Sequence, residues 1–201
     1  MIVGVLGGIG AGKSTVTRML ADLGAVTVDA DAMAHEVLDL PEVRERIESL
    51  FGREVVGRGE KVDRKALSRR VFSNPEDLER LEGLIHPEVL RRIEKTAAEH
   101  LRKKEKGEIL VLDVPLLAES PLIRLCDRIV FVESSPEARS RRVQGRGWEP
   151  GELERRESAQ RSIAEKRRLA DHVIDNSGSL DETRRQVEGL HALWSREGLA
   201  T

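Results

Sequence analysis

Residues 7 to 14 read Gly7-Gly8-Ile9-Gly10-Ala11-Gly12-Lys13-Ser14, a glycine-rich run that closes on a lysine and a hydroxyl. The spacing is G-x-x-x-x-G-K-[ST]. Glycines let backbone N–H groups converge on phosphate oxygens, Lys13 reaches the β and γ phosphates, and Ser14 offers a hydroxyl to Mg²⁺. An apolar run, Ile2 to Leu6, precedes the loop, and a helical pattern through Thr15 to Ala21 follows it. The loop therefore reads as strand, turn and helix, and the helix adds the positive end of its dipole. One nucleoside triphosphate and one Mg²⁺ are the expected ligands.

Two further carboxylates stand in Val28-Asp29-Ala30-Asp31-Ala32, after a second apolar run. Open α/β sheets bind ligands at the carboxyl ends of their strands, which is where an acceptor hydroxyl belongs. On an extended segment Asp29 and Asp31 point the same way, so one can accept from that hydroxyl while the other holds a neighbouring group. The alternative for Asp31 is a helix N-cap. Asp113 ends a third apolar run and reads either as a second acid for Mg²⁺, through water, or as a cap of the next helix. Residues 136 to 170 hold ten Arg/Lys against six Asp/Glu in a chain of net charge −2, with Gly145, Gly147, Pro150 and Gly151 as breakers. Such a basic, hinged segment reads as a lid.

A phosphate cradle says nucleotide, not reaction. A guanine-specific switch is expected to carry Asn/Thr-Lys-x-Asp, yet the asparagines are Asn74 and Asn176, neither in that setting, and no Thr-Lys-x-Asp occurs. A motor needs more chain for its coupling elements. Phosphoryl transfer to a small molecule needs an acceptor domain and a lid that keeps water from the transferred group. A nucleoside or nucleotide acceptor, and a nucleotide-binding regulatory protein that hydrolyses nothing quickly, are the alternatives.

The elements that must position these residues follow from the apolar runs at Ile2 to Leu6, Ala25 to Val28, Ile109 to Leu112, Ile129 to Val132 and His172 to Ile174. Continuous rather than alternating apolar strands, separated by helical periodicity, predict a parallel sheet covered on both faces. The fold class is α/β: a five-stranded parallel sheet wrapped by helices, with two insertions. Residues 36 to 106 read as a helical acceptor-binding domain, with helices opening after Asp63, at Asn74-Pro75 and at Pro87. Residues 136 to 168 form the lid, and residues 1 to 35, 107 to 135 and 169 to 201 the nucleotide-binding core.

The 39% apolar content and near-neutral charge argue for a folded globular chain and against binding nucleic acid by bulk charge. No segment approaches the length of a membrane span and no secretory leader is expected, so the cytoplasm is the expected compartment. The lone Cys126 reads as a buried thiol in a reducing compartment. A monomer is the default.

These residues resemble a known family. Val5 to Thr15, Asp29-Ala30-Asp31, Ile85-His86-Pro87, Val114-Pro115-Leu116-Leu117 with Glu119, and Ala170 to Asn176 are similar, in order and spacing, to the blocks of dephospho-CoA kinases. The resemblance implies a P-loop kinase that transfers the γ-phosphoryl group of ATP to the ribose 3′-hydroxyl of dephospho-CoA. It implies catalytic roles for Asp31, Lys13 and Arg142. ATP contacts are implied at Gly8, Ile9, Gly10, Ala11, Gly12, Lys13, Ser14, Thr15, Arg146 and Asn176. Substrate contacts are implied at Asp29, Asp31, His86 and Leu116, with Ser14 and Asp113 toward Mg²⁺. Ala159-Gln160 and Glu165-Lys166 match the returning arm of the family's lid. Leu6, Ala118 and Gly147 depart from the family's usual residues; Leu6 is expected to change only packing and Gly147 to loosen the lid. Trp148 lies in the hinge of that lid, where a contact made on closure competes with plain packing.

Overall fold

The computed structural model describes residues 1–57, 61–103 and 107–200, the last three as main chain. In chain order its elements are β1 (Ile2–Gly7), α1 (Lys13–Asp22), β2 (Val26–Asp29), α2 (Ala30–Leu38), α3 (Pro41–Phe51), α4 (Arg64–Phe72), α5 (Pro75–Lys103), β3 (Leu110–Asp113), β4 (Arg128–Glu133), α6 (Pro136–Gln144), α7 (Glu152–Glu157), α8 (Ile163–Arg168), β5 (His172–Asp175) and α9 (Leu180–Ala200). Short 3-10 turns cover Arg53–Val55 and Pro121–Leu125. The described chain falls into two compact units, Met1–Asp29 with Thr96–Thr201, and Ala30–Lys95.

The first unit carries the sheet. All five strands are parallel, in the order β2-β3-β1-β4-β5, and each lies on one of the apolar runs. Val3, Val5, Val111, Val130 and Val132 are fully buried, as strands covered on both faces require. Parallel order brings all five carboxyl ends to one edge. Gly7, Asp29, Asp113, Glu133 and Asp175 stand there, with Asp29 in register with Asp113 and Glu133 with Asp175. Trp194 of α9 is fully buried, its ring edge-on to His172 at 5.6 Å between centroids. α6, α7 and α8, the segment read as a lid, belong to this unit. Gly147 has φ +83° with open space around it, and its N–H donates to the Gln144 carbonyl, so it turns the chain at the end of α6. Only glycine takes that backbone without strain.

The second unit is helical. Asp63 caps α4 by accepting from the N–H groups of Lys65 and Ala66. Two expectations are corrected. Pro87 does not open a helix; it lies inside the unbroken α5. Leu81, Ile85, Val89, Ile93 and Ala97 form one buried stripe along α5. Each large apolar side chain there contributes about 1.5 to 3 kcal/mol, which outweighs the roughly 3 kcal/mol cost of an interior proline. The second correction concerns Asp31, because α2 begins directly at the end of β2, at Ala30. Asp31 thus occupies the first turn of a helix and is neither on an extended segment nor an N-cap. The boundary expected at residue 106 lies outside the described residues.

Candidate active site

The phosphate loop owes its shape to glycine at two positions. Gly10 has φ +75° and a Cβ there would stand 2.9 Å from the Arg139 carbonyl; Gly12 has φ +95° and a Cβ there would strike the Asn176 amide. Gly12 is also the N-cap of α1 and brings no side chain, so the first amides of the helix are left to a ligand. Lys13 Nζ folds back onto the carbonyls of Gly7 and Gly8, at 3.2 and 3.3 Å. Ser14 is exposed and Thr15 half-buried in the first turn.

Residues far along the chain hold the back of this loop. Asn176, 2% exposed, donates from Nδ2 to the Ala11 carbonyl at 2.7 Å and accepts at Oδ1 from Thr183 Oγ1 at 2.9 Å. Arg142 Nη1 donates to the carbonyls of Gly10 and Ala11, both at 3.1 Å, and to Ser134 Oγ, while Nη2 donates to the Asn176 carbonyl. Across a planar trans peptide the Ala11 carbonyl and the Gly12 N–H point in opposite directions. Holding one aims the other into the cradle. Arg142 and Asn176 therefore reach the nucleotide site through the loop they clamp.

Charge concentrates at the same place. Burial pushes the Lys13 ammonium below the usual lysine range; nearby Lys166 adds to this, Asp113 and Glu157 oppose it, and Arg146 adds further. Lys166, 5% exposed, donates to Gln160 Oε1 at 2.6 Å, and burial lowers its pKa also. A partly desolvated group of cations at the loop is a setting that the charge of a polyphosphate would relieve. Arg146 is exposed at the end of α6. Leu116 has φ +58°, alone among the described non-glycine residues in being left-handed, and is 49% exposed. A strained, exposed leucine beyond the end of β3 fits a contact surface better than a packing role. In the helical unit, Asp31 is exposed in the first turn of α2 and His86 is exposed on α5.

A sequence profile of the dephospho-CoA kinase family matches residues 1–182. The chain belongs to the dephospho-CoA kinase family. It is 44% identical to the dephospho-CoA kinase of Symbiobacterium thermophilum over 93% of this chain and 78% of that protein. It is 42% identical to that of Leifsonia xyli subsp. xyli over 95% and 97%. The solved structure of the dephospho-CoA kinase from Campylobacter jejuni superposes with a TM-score of 0.74 at 25% identity, covering 97% of each chain. Members of this family phosphorylate dephospho-CoA with ATP, the last step of coenzyme A biosynthesis, and this chain is a P-loop kinase of that kind.

For a dephospho-CoA kinase the oxygen donors fit Mg²⁺. Ser14 offers a hydroxyl at the cradle and Asp113 a carboxylate whose field reaches Lys13, and hard cations take oxygen ligands with phosphate completing the set. Two residues escaped sequence reasoning, Arg139 and Glu157, which meet at the loop; Lys166, matched to the returning arm of the lid, stands as a cation near Lys13. Arg139 and Arg142, three residues apart on α6, share one face of that helix, and this spacing was the available signal. Nothing local marks Glu157. Cys126 is half-buried, not fully buried as expected, because it stands at the mouth of β4; burial, with Asp127, still pushes its thiol up to about 12. Among the described residues no helix is long and apolar enough to cross a membrane.

Proposed function

We propose that this kinase binds ATP at the Gly7–Ser14 loop and transfers its γ-phosphoryl group to the ribose 3′-hydroxyl of dephospho-CoA, with Asp31 orienting that hydroxyl. The observation that carries the donor site is the loop itself: uncapped helix amides, with carbonyls held outward by Arg142 and Asn176. Lys13 leaves the Gly7 and Gly8 carbonyls to bridge the β and γ phosphates. Arg146 and Lys166 add positive charge where it develops on the transferring group. Mg²⁺, held toward Ser14 and Asp113, would neutralise phosphate charge when bound.

The transition state of phosphoryl transfer is loose, so the acceptor proton leaves late and Asp31 has mainly to orient. His86 in the second unit is assigned to binding dephospho-CoA, and Leu116 and Asp29 in the first are assigned to the same substrate. The second unit binds the coenzyme, and the segment from α6 to α8 closes over the donor to exclude water. The enzyme works as a cytoplasmic monomer on a small-molecule acceptor.

The test is ADP release from ATP and Mg²⁺ with dephospho-CoA, adenosine, AMP or no acceptor, with mass analysis of the product. Stimulation by dephospho-CoA with one phosphate added to its ribose is expected. A preference for adenosine or AMP overturns the acceptor; ATP binding without stimulated release overturns the kinase.

A further inference from the structure

The amino end of the phosphate loop holds an anion of the protein's own. The Ile9 N–H donates to Glu157 Oε1 at 3.1 Å, and the same oxygen accepts from Arg139 Nη1 in an ion pair. Gly8 makes room for the pair: a Cβ there would stand 2.8 Å from Arg139 Nη1 and 3.1 Å from Glu157 Oε1. Arg139 is 7% exposed, its main chain lies against Gly10, and its Nε is buried without a hydrogen-bond partner. Glu157 ends α7, and its negative field also reaches Lys13.

A loop N–H and a buried guanidinium gathered around one oxygen, within the field of the loop lysine, are the donors that a phosphate oxygen takes. We propose that Glu157 occupies, in the nucleotide-free protein, the place of a terminal phosphate oxygen, and that the bound triphosphate displaces it and inherits the Ile9 N–H and Arg139. The inference rests on the loop being the donor site. Two anions cannot share these donors, since like charges a few ångström apart repel strongly in a partly desolvated site. A phosphate also brings several oxygens where the carboxylate engages one, so it can satisfy the Arg139 Nε as well. ADP, without the terminal phosphate, leaves Glu157 in place, so the exchange weakens ATP binding and leaves ADP binding unchanged.

The displacement is coupled to the connection between α6 and α7. Arg156, the neighbour of Glu157, stacks over the Trp148 ring at 4.2 Å from its centroid. Moving Glu157 off the loop moves Arg156 relative to that ring, and Trp148 emission reports it, while Trp194 stays buried in the core.

The experiment titrates wild type, Glu157→Gln and Glu157→Asp with ATP and with ADP, following Kd by calorimetry and tryptophan emission, with Trp148→Phe as the emission control. Glu157→Gln is expected to bind ATP about tenfold tighter, with the ADP Kd within about twofold of wild type. Glu157→Asp keeps the charge but is one methylene too short to reach the Ile9 N–H, and it should shift ATP affinity in the same direction. The ATP-induced emission change of wild type should be largely present in Glu157→Gln before nucleotide is added. ATP binding no tighter in either variant overturns the displacement and leaves Glu157 as a fixed support of Arg139. Failure of wild type to bind ATP overturns the donor-site reading, and the inference with it.

Discussion

Asn176 donates its side-chain amide to the carbonyl of Ala11 at 2.7 Å, joining residues 165 positions apart in the chain. The contact is buried, and Thr183 fixes the orientation of the amide from behind. Replacing Asn176 by Asp keeps the shape but sets a carboxylate against a carbonyl. Asn176→Asp should raise the KM for ATP at least tenfold and lower stability by about 1 to 3 kcal/mol. Thr183→Val, which leaves the amide its bond to Ala11 but removes the hydroxyl behind it, should have a smaller effect of the same sign. Kinetics and thermal melts of both variants check this, and a KM unchanged in Asn176→Asp would remove the amide from loop positioning.

Lys13 combines a functional demand with a cost to folding. Its folded pKa is depressed by burial, so below that pKa the charged form destabilises the native state, and the penalty is relieved as pH rises toward the unfolded value of 10.5. Without nucleotide, Lys13→Met should therefore be more stable than wild type near neutral pH, and the gap should narrow in alkali. Lys13→Ala should weaken ATP binding and lower kcat/KM by about 100-fold or more. Denaturation at several pH values, beside a steady-state assay, tests both statements.

In the proposed reaction, Asp31→Asn removes an acceptor of the hydroxyl proton and no phosphate ligand. ATP affinity should stay within about twofold, while kcat falls by about 10²- to 10⁴-fold. Equal kcat in the variant would take Asp31 out of the mechanism.

Cys126 is expected to be unreactive. With the thiol pushed up to about 12, roughly one molecule in ten thousand carries a thiolate at pH 8. Iodoacetamide should label the native protein far more slowly than the denatured one; comparable rates would contradict the burial.

Gly147→Ala places a side chain in open space but on a backbone with φ +83°. The strain should lower stability by about 1 kcal/mol, a fall in Tm of about 2 to 4 °C. An unchanged Tm would mean that the turn relaxes.

The strands and the phosphate cradle were legible because each is a contiguous signal. Five continuous apolar runs mark β1 to β5, and Gly7 to Ser14 contains its own chemistry within eight residues. Asp63 before α4 was legible for the same reason, since a cap acts over three residues. Pro87 misled because local propensity favours a break there, whereas a buried stripe from Leu81 to Ala97 outweighs it. Asp31 misled because nothing in Val28 to Ala32 announces that the helix starts without a connecting loop.

The sequence by itself determined that this chain is a parallel α/β phosphate-binding protein and, through its motif blocks, which family it resembles. Periodicity and contiguous motifs express local physics, and local physics can be read along a line. Only the tertiary structure decided which of the ten lid cations reach the cradle, that Arg142 and Asn176 clamp the loop carbonyls, and that Glu157 holds the Ile9 N–H. Those contacts join the loop to residues more than a hundred positions away. Their geometry is set by the crossing of strands and helices, which no spacing along the chain encodes.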